Sequence, residues 1–290
     1  MINAVIDVGS GTLKCLVAEW NGKIKVLRES TREVRLGVEE GCIPTEKFTE
    51  VFEAIVSLID EARACGAKQI VAVATSAVRD ASNQADFVKA FERATGVPLR
   101  VLSGQEEADA IGAGLLCDPD IGGHCVAFDI GGGSLERIEF DQRPLSAESF
   151  PLGVIRLARR FHPNIQDPLP RNAFGEIRAL LKSTLPPYKG PLVFLSGSAY
   201  ILLNWLQSQD ASLPTNTLTD ASLALAFSKI ATLPLSERYK LPIIPKNRAD
   251  VLPTSIALMQ ALMDLAGVNS VHCSRYNLKY GITYNLCKRP

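Results

Sequence analysis

Apolar and polar residues recur along the chain with two different periods, and each change of period marks a boundary between predicted elements. Residues 2–8 are mostly apolar and β-branched, which predicts a buried strand, and residues 12–20 predict a second. Asn21-Gly22 favours a hairpin turn, from which residues 24–30 return as a third strand. We therefore predict that the chain opens with a three-stranded meander.

A helical period follows the meander. Its apolar residues share one helical face: Phe48, Val51, Phe52, Ile55, Leu58, Ile59 and Ala62. We expect Thr45 to cap the start of this helix and Gly66 to end it. The pattern then predicts a strand at 69–75, a helix at 85–96, a strand at 99–103 and a helix from Glu106.

The second half of the chain repeats this plan from His124 onward. It predicts strands at 125–130, 135–140, 145–150 and 192–197, and helices near 153–161, 171–183, 221–233 and 253–267. Alternation of strands and helices indicates an α/β fold in which a mixed sheet is flanked by helices. We predict two such domains, residues 1–121 and 122–290, with a cleft between them.

A strand followed by a glycine-rich turn occurs twice. AVIDVGSGTLK (residues 4–14) aligns with VAFDIGGGSLE (residues 126–136), and only the last aligned pair, Lys14 and Glu136, differs in charge. Successive N–H groups of such a turn bind phosphate oxygens, and an aspartate at the strand end can hold Mg²⁺. One copy is weak evidence, because glycines also serve ordinary hairpins. Two copies predict a pair of turns that face each other and hold a row of phosphates.

Composition narrows the class of partner. The 290 residues carry no formal net charge, which argues against a large basic face for nucleic acid. Seven scattered cysteines show no C-x-x-C spacing and indicate a reducing compartment. Because we find no membrane-spanning or export segment in the sequence, we expect a cytoplasmic protein with no membrane partner.

Six segments of the chain resemble, in order, those of the exopolyphosphatase and guanosine pentaphosphate phosphohydrolase (Ppx/GppA) family: IDVGSGTLKCLV, VATSAVRDASN, VLSGQEEADAIGAG, FDIGGGSLE, PLGVIRLARRF and RADVLPTSIALMQAL. The family lies in the superfamily of acetate and sugar kinases, actin and chaperone ATPases. The resemblance therefore implies two actin-like (ribonuclease H-like) domains, in the short form without a helical extension. It also implies hydrolysis of polyphosphate or guanosine pentaphosphate with Mg²⁺ or Mn²⁺, and it makes a homodimer plausible.

The resemblance assigns roles to individual residues. Glu107, in SGQEEA, matches the general base that activates the attacking water, and Arg79 matches an arginine that contacts phosphate. Asp129 and Glu136 match the acidic residues that hold the divalent ion and the water, and we expect Asp7 to share in metal binding. The phosphate-binding residues are Asp7, Gly9, Ser10, Gly11 and Thr12 in the first turn and Gly131, Gly132, Gly133 and Ser134 in the second.

The chemistry of these residue types agrees with the assignment, although each residue has an alternative. Hydrolysis of a phosphoanhydride needs neutralised phosphate charge and an oriented water molecule. We expect crowding by Glu106, Asp129 and Glu136 to raise the pKa of Glu107. The alternative for Glu107 is that it only favours the first turn of a helix, and the alternative for Arg79 is an ion pair with Asp80.

Three positions depart from the family pattern. Gly11 stands where the family usually has an asparagine, residues 195–199 replace a more glycine-rich turn, and Lys279 replaces an arginine. These departures affect the expected phosphate contacts more than the expected catalytic carboxylates. Two other functions therefore stay open: a kinase that uses ATP, and a regulator that binds polyphosphate or a nucleotide with little turnover.

Overall fold

The chain folds into two units, as seen in a computed structural model that describes residues 1–38 and 41–288. The first unit contains Met1–Ile121, Ala147–Ser149 and the described residues from Tyr276 onward, and the second contains Gly122–Ser146 and Phe150–Arg275. The sequence had placed residues 122–290 together, whereas the chain returns to the first unit at Tyr276 because its last helix packs there. The two-domain division and the cleft remain predictions.

The first unit is a five-stranded mixed sheet flanked by helices, in the strand order β3-β2-β1-β4-β5. Its strands are β1 (Ile2–Val8), β2 (Leu13–Trp20), β3 (Ile24–Arg32), β4 (Gln69–Ala74) and β5 (Leu99–Val101). Its helices are α1 (Lys47–Ala64), α2 (Ser76–Arg79), α3 (Gln84–Thr95), α4 (Gly104–Leu115) and the final helix, α11 (Leu278–Lys288). Because β1, β4 and β5 run parallel, their carboxyl ends meet at one edge of the sheet.

The second unit is a six-stranded mixed sheet in the order β10-β11-β9-β6-β7-β8. Its strands are β6 (Cys125–Ile130), β7 (Leu135–Phe140), β8 (Pro144–Phe150), β9 (Leu192–Leu195), β10 (Thr217–Thr219) and β11 (Ser270–Cys273). Its helices are α5 (Val154–Phe161), α6 (Ala173–Thr184), α7 (Gly197–Gln209), α8 (Asp220–Ala226), a π-helix (Phe227–Ala231), α9 (Leu235–Arg238) and α10 (Leu252–Ala266). The order β8-β7-β6-β9-β11 repeats that of the first sheet, so the duplication seen in the sequence extends to the topology.

Most predicted elements are confirmed, with local differences. The predicted apolar face of α1 is buried from Val51 to Ala62. Thr45 does not cap this helix, because the N-cap residue is Glu46 and no side chain bonds there, while Gly66 follows the helix end at a φ of +83°. The sequence pattern missed four helices, α2, α7, α9 and α11, and the two short strands β10 and β11. Among the described residues, no helix is long and apolar enough to cross a membrane.

Two glycines allow α4 and α11 to pack at backbone contact. A Cβ on Gly281 would overlap the carbonyl oxygen of Ala110, and a Cβ on Gly114 would lie 2.5 Å from the carbonyl oxygen of Tyr276. Such distances are impossible for real side chains, so each position accepts only glycine. The last helix is thereby held against the helix that carries Glu107.

Lys279, expected to replace a substrate-binding arginine, is instead a structural residue of the first unit. Its side chain is 4% exposed, and its Nζ donates to Glu29 Oε1 of β3 at 2.7 Å. A buried ammonium requires such a partner. Lys279 is therefore held by an ion pair within the first unit, and the expected effect of the change from arginine on substrate binding stays a prediction.

We predict that Gly281→Ala destabilises the first unit by about 3 kcal/mol, because the added methyl group must force α4 and α11 apart. Unfolding in urea would measure the change. The matched control is Gly175→Ala in α6, where an added Cβ meets no heavy atom within 4 Å. Alanine is the better helix former, so this variant should be at least as stable as the parent. Equal stability of both variants and the parent would contradict the packing described here.

Candidate functional site

The two glycine turns have the same backbone geometry. In the first, Asp7 lies opposite Lys14 on the neighbouring strand, and the Gly9 amide donates to the Thr12 carbonyl at 3.1 Å. The second repeats both features: Asp129 lies opposite Glu136, and the Gly131 amide donates to the Ser134 carbonyl at 3.1 Å. A Cβ on Gly9 or on Gly131 would lie 3.0 Å from that same carbonyl oxygen. The two copies are therefore equivalent in conformation as well as in sequence.

The second turn is locked by the start of α5. Three of its carbonyls accept hydrogen bonds from α5: Gly131 from the Val154 amide (3.0 Å), Gly132 from the Ile155 amide (2.8 Å) and Gly133 from Arg156 Nε (2.7 Å). In a trans peptide the N–H points opposite to the C=O. The amides of Gly132, Gly133 and Ser134 are therefore turned away from these donors and form a nest suited to phosphate oxygens.

Two further observations concern this nest. Within residues 1–38 and 41–288, the Gly132 and Gly133 amides donate to no backbone carbonyl. Gly153, which precedes α5, lies so close that a Cβ there would overlap the backbone of Gly132, Gly133 and Ser134. Sequence reasoning noticed the segment PLGVIRLARRF but gave Gly153 and Arg156 no role. The sequence did contain a signal for the role of Gly153: it is a glycine directly before a predicted helix, and that helix follows the repeated hairpin.

The first turn is held at one peptide, where the Ser10 carbonyl accepts from the Leu36 amide at 3.1 Å. Because the Gly11 N–H shares a trans peptide with this carbonyl, it points away from Leu36. Gly11 is buried and brings no side-chain donor where the family usually has an asparagine. The first turn thus offers fewer fixed donors than the second.

The charges that flank the two turns differ. Asp129 is half-buried and Glu136 is 1% exposed, and the two carboxylates belong to directly opposed residues of β6 and β7. Like charges in opposed positions are unfavourable, and a divalent cation with its preference for oxygen ligands would offset the repulsion. The equivalent pair in the first hairpin, Asp7 and Lys14, is already balanced in charge. The donor set of the second hairpin therefore suits Mg²⁺ or Mn²⁺.

Glu107 and Arg79 form a partly buried ion pair at the carboxyl edge of the first sheet. Arg79 Nη1 lies 2.8 Å from Glu107 Oε2, and the side chains are 21% and 9% exposed. The same nitrogen donates to the Leu102 carbonyl at 2.9 Å, and Arg79 Nε lies 3.6 Å from Asp80 Oδ1. Arg79 thus has both the acidic partner named as its alternative and a closer one that the sequence did not indicate.

Glu106 has the structural role, at the start of a helix, that was named as the alternative for Glu107. Ser103 and Glu106 form a capping box at the start of α4, in which Glu106 Oε2 accepts from the Ser103 amide at 2.8 Å. This hydrogen bond, together with Arg100 and the Ser103 hydroxyl, lowers the pKa of Glu106 to about 2. Glu106 is therefore ionised at every physiological pH, and its neighbour Glu107 points elsewhere.

Glu107 has the opposite electrostatic environment. Burial raises its pKa to about 7, Arg79 opposes the rise, and the charges of Asp7 and Asp80 add to it. The expected direction is therefore right, but the main cause is burial rather than crowding by Glu106. Asp7, Arg79 and Glu107 are thus close enough to interact, and they combine a carboxylate that changes charge near neutrality with a guanidinium.

The comparisons with known proteins find the same family over nearly the whole chain. The sequence model of the Ppx/GppA phosphatase family matches residues 15–289. Exopolyphosphatase 1 of Mycobacterium leprae is 29% identical, over 96% of this chain and 87% of its own. The guanosine-5'-triphosphate,3'-diphosphate pyrophosphatase of Vibrio atlanticus is 24% identical over 98% of this chain, which spans only 59% of that relative.

Solved structures share the fold. The crystal structure of an exopolyphosphatase from Cytophaga hutchinsonii superposes with a TM-score of 0.87 at 23% identity, covering 99% of this chain and 97% of the other. The two mixed sheets with flanking helices, predicted from the alternation of elements, are therefore the arrangement seen in that crystal structure.

We predict that Glu107→Gln flattens the dependence of stability on pH. A carboxyl group whose pKa rises from 4.5 to about 7 on folding adds stability below pH 4.5 that is lost as the pH rises through 7. The parent should therefore lose up to about 3 kcal/mol more than the variant between pH 4.5 and pH 8. Urea unfolding at several pH values measures this difference. Glu106→Gln is the control, because Glu106 stays ionised over this range, and it should keep the slope of the parent.

We also predict that Gly153→Ala abolishes phosphate binding at the second turn. Gly153 has a φ of −68°, which alanine adopts without strain, so any effect comes from the overlap of the methyl group with the turn. Calorimetric titration with tripolyphosphate would show the loss. Gly123→Ala, where an added Cβ meets nothing within 4 Å, should bind like the parent. Unchanged affinity in Gly153→Ala would refute the role of α5 in shaping the nest.

Proposed function

This chain belongs to the Ppx/GppA phosphatase family, and we propose that it is a phosphoanhydride hydrolase that releases terminal orthophosphate from inorganic polyphosphate or guanosine pentaphosphate. The names of its relatives support both substrates. Polyphosphate comes first in the proposal, because the chain spans 87% of the exopolyphosphatase and 59% of the guanosine pentaphosphate enzyme.

The observation that carries the proposal is the buried Glu107 with a pKa of about 7 next to Arg79. A general base works best when its pKa lies near the working pH, because it is then largely ionised and still accepts a proton well. In the proposed reaction Glu107 takes a proton from the attacking water, while Arg79 neutralises charge on the phosphoryl group. The nest of Gly132, Gly133 and Ser134 supplies further donors to phosphate oxygens, and the first turn, from Gly9 to Thr12, supplies a smaller set.

The metal belongs to the same proposal. Asp129 and Glu136 would hold Mg²⁺ or Mn²⁺, often through water, and a share of Asp7 in metal binding stays an expectation from the sequence. The ion would neutralise phosphate charge when bound. Glu136 also stays a candidate for orienting the attacking water.

The deciding experiment measures orthophosphate released from long polyphosphate, tripolyphosphate and guanosine pentaphosphate, with Mg²⁺ and with a chelator. We expect release that requires the metal. Binding of these ligands without release would instead support the regulator. A phosphorylated acceptor formed from ATP would support the kinase.

We predict that Glu107→Gln lowers kcat by about 10²-fold or more while tripolyphosphate still binds, since general-base catalysis contributes on this scale. Glu106→Gln is the matched control, because Glu106 is committed to the capping box. It should lower stability and leave kcat within a few fold of the parent. Equal activity of Glu107→Gln and the parent would remove Glu107 from the reaction.

A further inference from the structure

The hydrogen bonds of Arg79 divide its guanidinium group into two parts. Nη1 uses its two N–H groups on the Leu102 carbonyl and on Glu107 Oε2, at 2.9 and 2.8 Å. Nε lies 3.6 Å from Asp80 Oδ1. Nη2 has no acceptor in the described part of the chain. One amino group is thus committed to the protein, and the other is left to bind something else.

Nη1 is anchored to the backbone where three elements meet. Leu102 directly precedes the N-cap of α4, and its amide donates to the Ala74 carbonyl at the end of β4 at 2.9 Å. Helix α2, which ends at Arg79, begins two residues after Ala74. The carbonyl that holds Arg79 is therefore tied both to the strand that leads to Arg79 and to the helix that carries Glu107. This arrangement fixes the orientation of the planar guanidinium.

We propose that Arg79 joins the base to the substrate: Nη1 fixes the Glu107 carboxylate, and Nη2 binds the terminal phosphoryl group. The proposal rests on the hydrolase function proposed above. Because a guanidinium is a rigid fork, acceptors on its two amino groups are held at a set separation. Arg79 would thus set the distance between base and phosphorus across which the attacking water sits, and such positioning is a large part of catalysis.

The proposal separates what lysine and glutamine can do at this position. A lysine has a single ammonium, which can take the place of Nη1 on Leu102 and Glu107. Its three N–H groups diverge from one nitrogen, so it cannot place a second nitrogen on the phosphate at the separation that the guanidinium sets. A glutamine has neither the length nor the charge to hold Glu107. Arg79→Lys should therefore lose substrate affinity and keep turnover, whereas Arg79→Gln should lose both.

The experiment measures KM and kcat for tripolyphosphate in the parent, in Arg79→Lys and in Arg79→Gln, with Arg100→Lys as the control. Arg100 is an exposed arginine that pairs with Glu106 and not with Glu107. We expect KM to rise about tenfold or more in Arg79→Lys, as for a lost hydrogen bond to a charged group, with kcat within a few fold. We expect a further loss of kcat, on the order of 10²-fold, in Arg79→Gln. The control should match the parent.

Three results would overturn the proposal: an unchanged KM in Arg79→Lys, an unchanged kcat in Arg79→Gln, or a loss of kcat in Arg79→Lys as deep as in Arg79→Gln. Failure of the hydrolase function itself would look different, because the parent would then release no phosphate. In that case two measurements decide: the affinity for tripolyphosphate in Arg79→Lys, and the carbon-13 shift of the Glu107 carboxyl in Arg79→Gln. Weaker binding together with a raised pKa of Glu107 would still show both contacts, and absence of either change would exclude the bridge.

Discussion

The central physical constraint in this protein is the burial of one carboxylate, Glu107, against one guanidinium, Arg79. Removing a carboxylate from water favours its neutral form, and an adjacent cation favours its charged form. Here burial outweighs Arg79, and the pKa settles at about 7. The pair therefore links the packing of the first unit to proton transfer.

Such a balance is useful only if the carboxylate stays in place, and the scaffold around α4 supplies that rigidity. The capping box of Ser103 and Glu106 fixes the first turn of the helix. About one turn further on, the Ala110 carbonyl meets the backbone of Gly281 in α11. One turn beyond that, Gly114 meets the backbone of Tyr276 and Asn277, directly before α11. Helix α11 therefore packs against α4, which carries the candidate base Glu107, although the two helices are far apart in sequence. Buried Lys279, paired with Glu29, joins the same helix to β3.

The sequence predicted whatever depends on local pattern. It predicted the strands before the two turns, the buried face of α1 and the repeated hairpin. The role of Glu107 as a base stays a prediction. It could not predict that Arg79 holds Glu107 and the Leu102 carbonyl, because these contacts join residues more than twenty positions apart. The same limit explains why the sequence did not indicate the ion pair between Lys279 and Glu29, which are 250 residues apart. Helix α7 was missed because apolar side chains such as Ile201, Leu202 and Leu203 run together and blur its helical period.

The two hairpins share one backbone conformation but differ in charge and in the elements that pack beside them. Both turns close with the same amide-to-carbonyl bond, so differences between them must come from side chains and neighbouring elements. At the position opposite the aspartate, lysine in the first copy balances the charge, whereas glutamate in the second doubles it. Like charges on opposed strands are unfavourable, and a bound divalent cation would offset them. The second copy also gains the start of α5, which turns three amides in one direction. Backbone amides suited to an anion and carboxylates suited to a cation thus lie within a few residues of each other, which is the combination that a metal-bound phosphate requires.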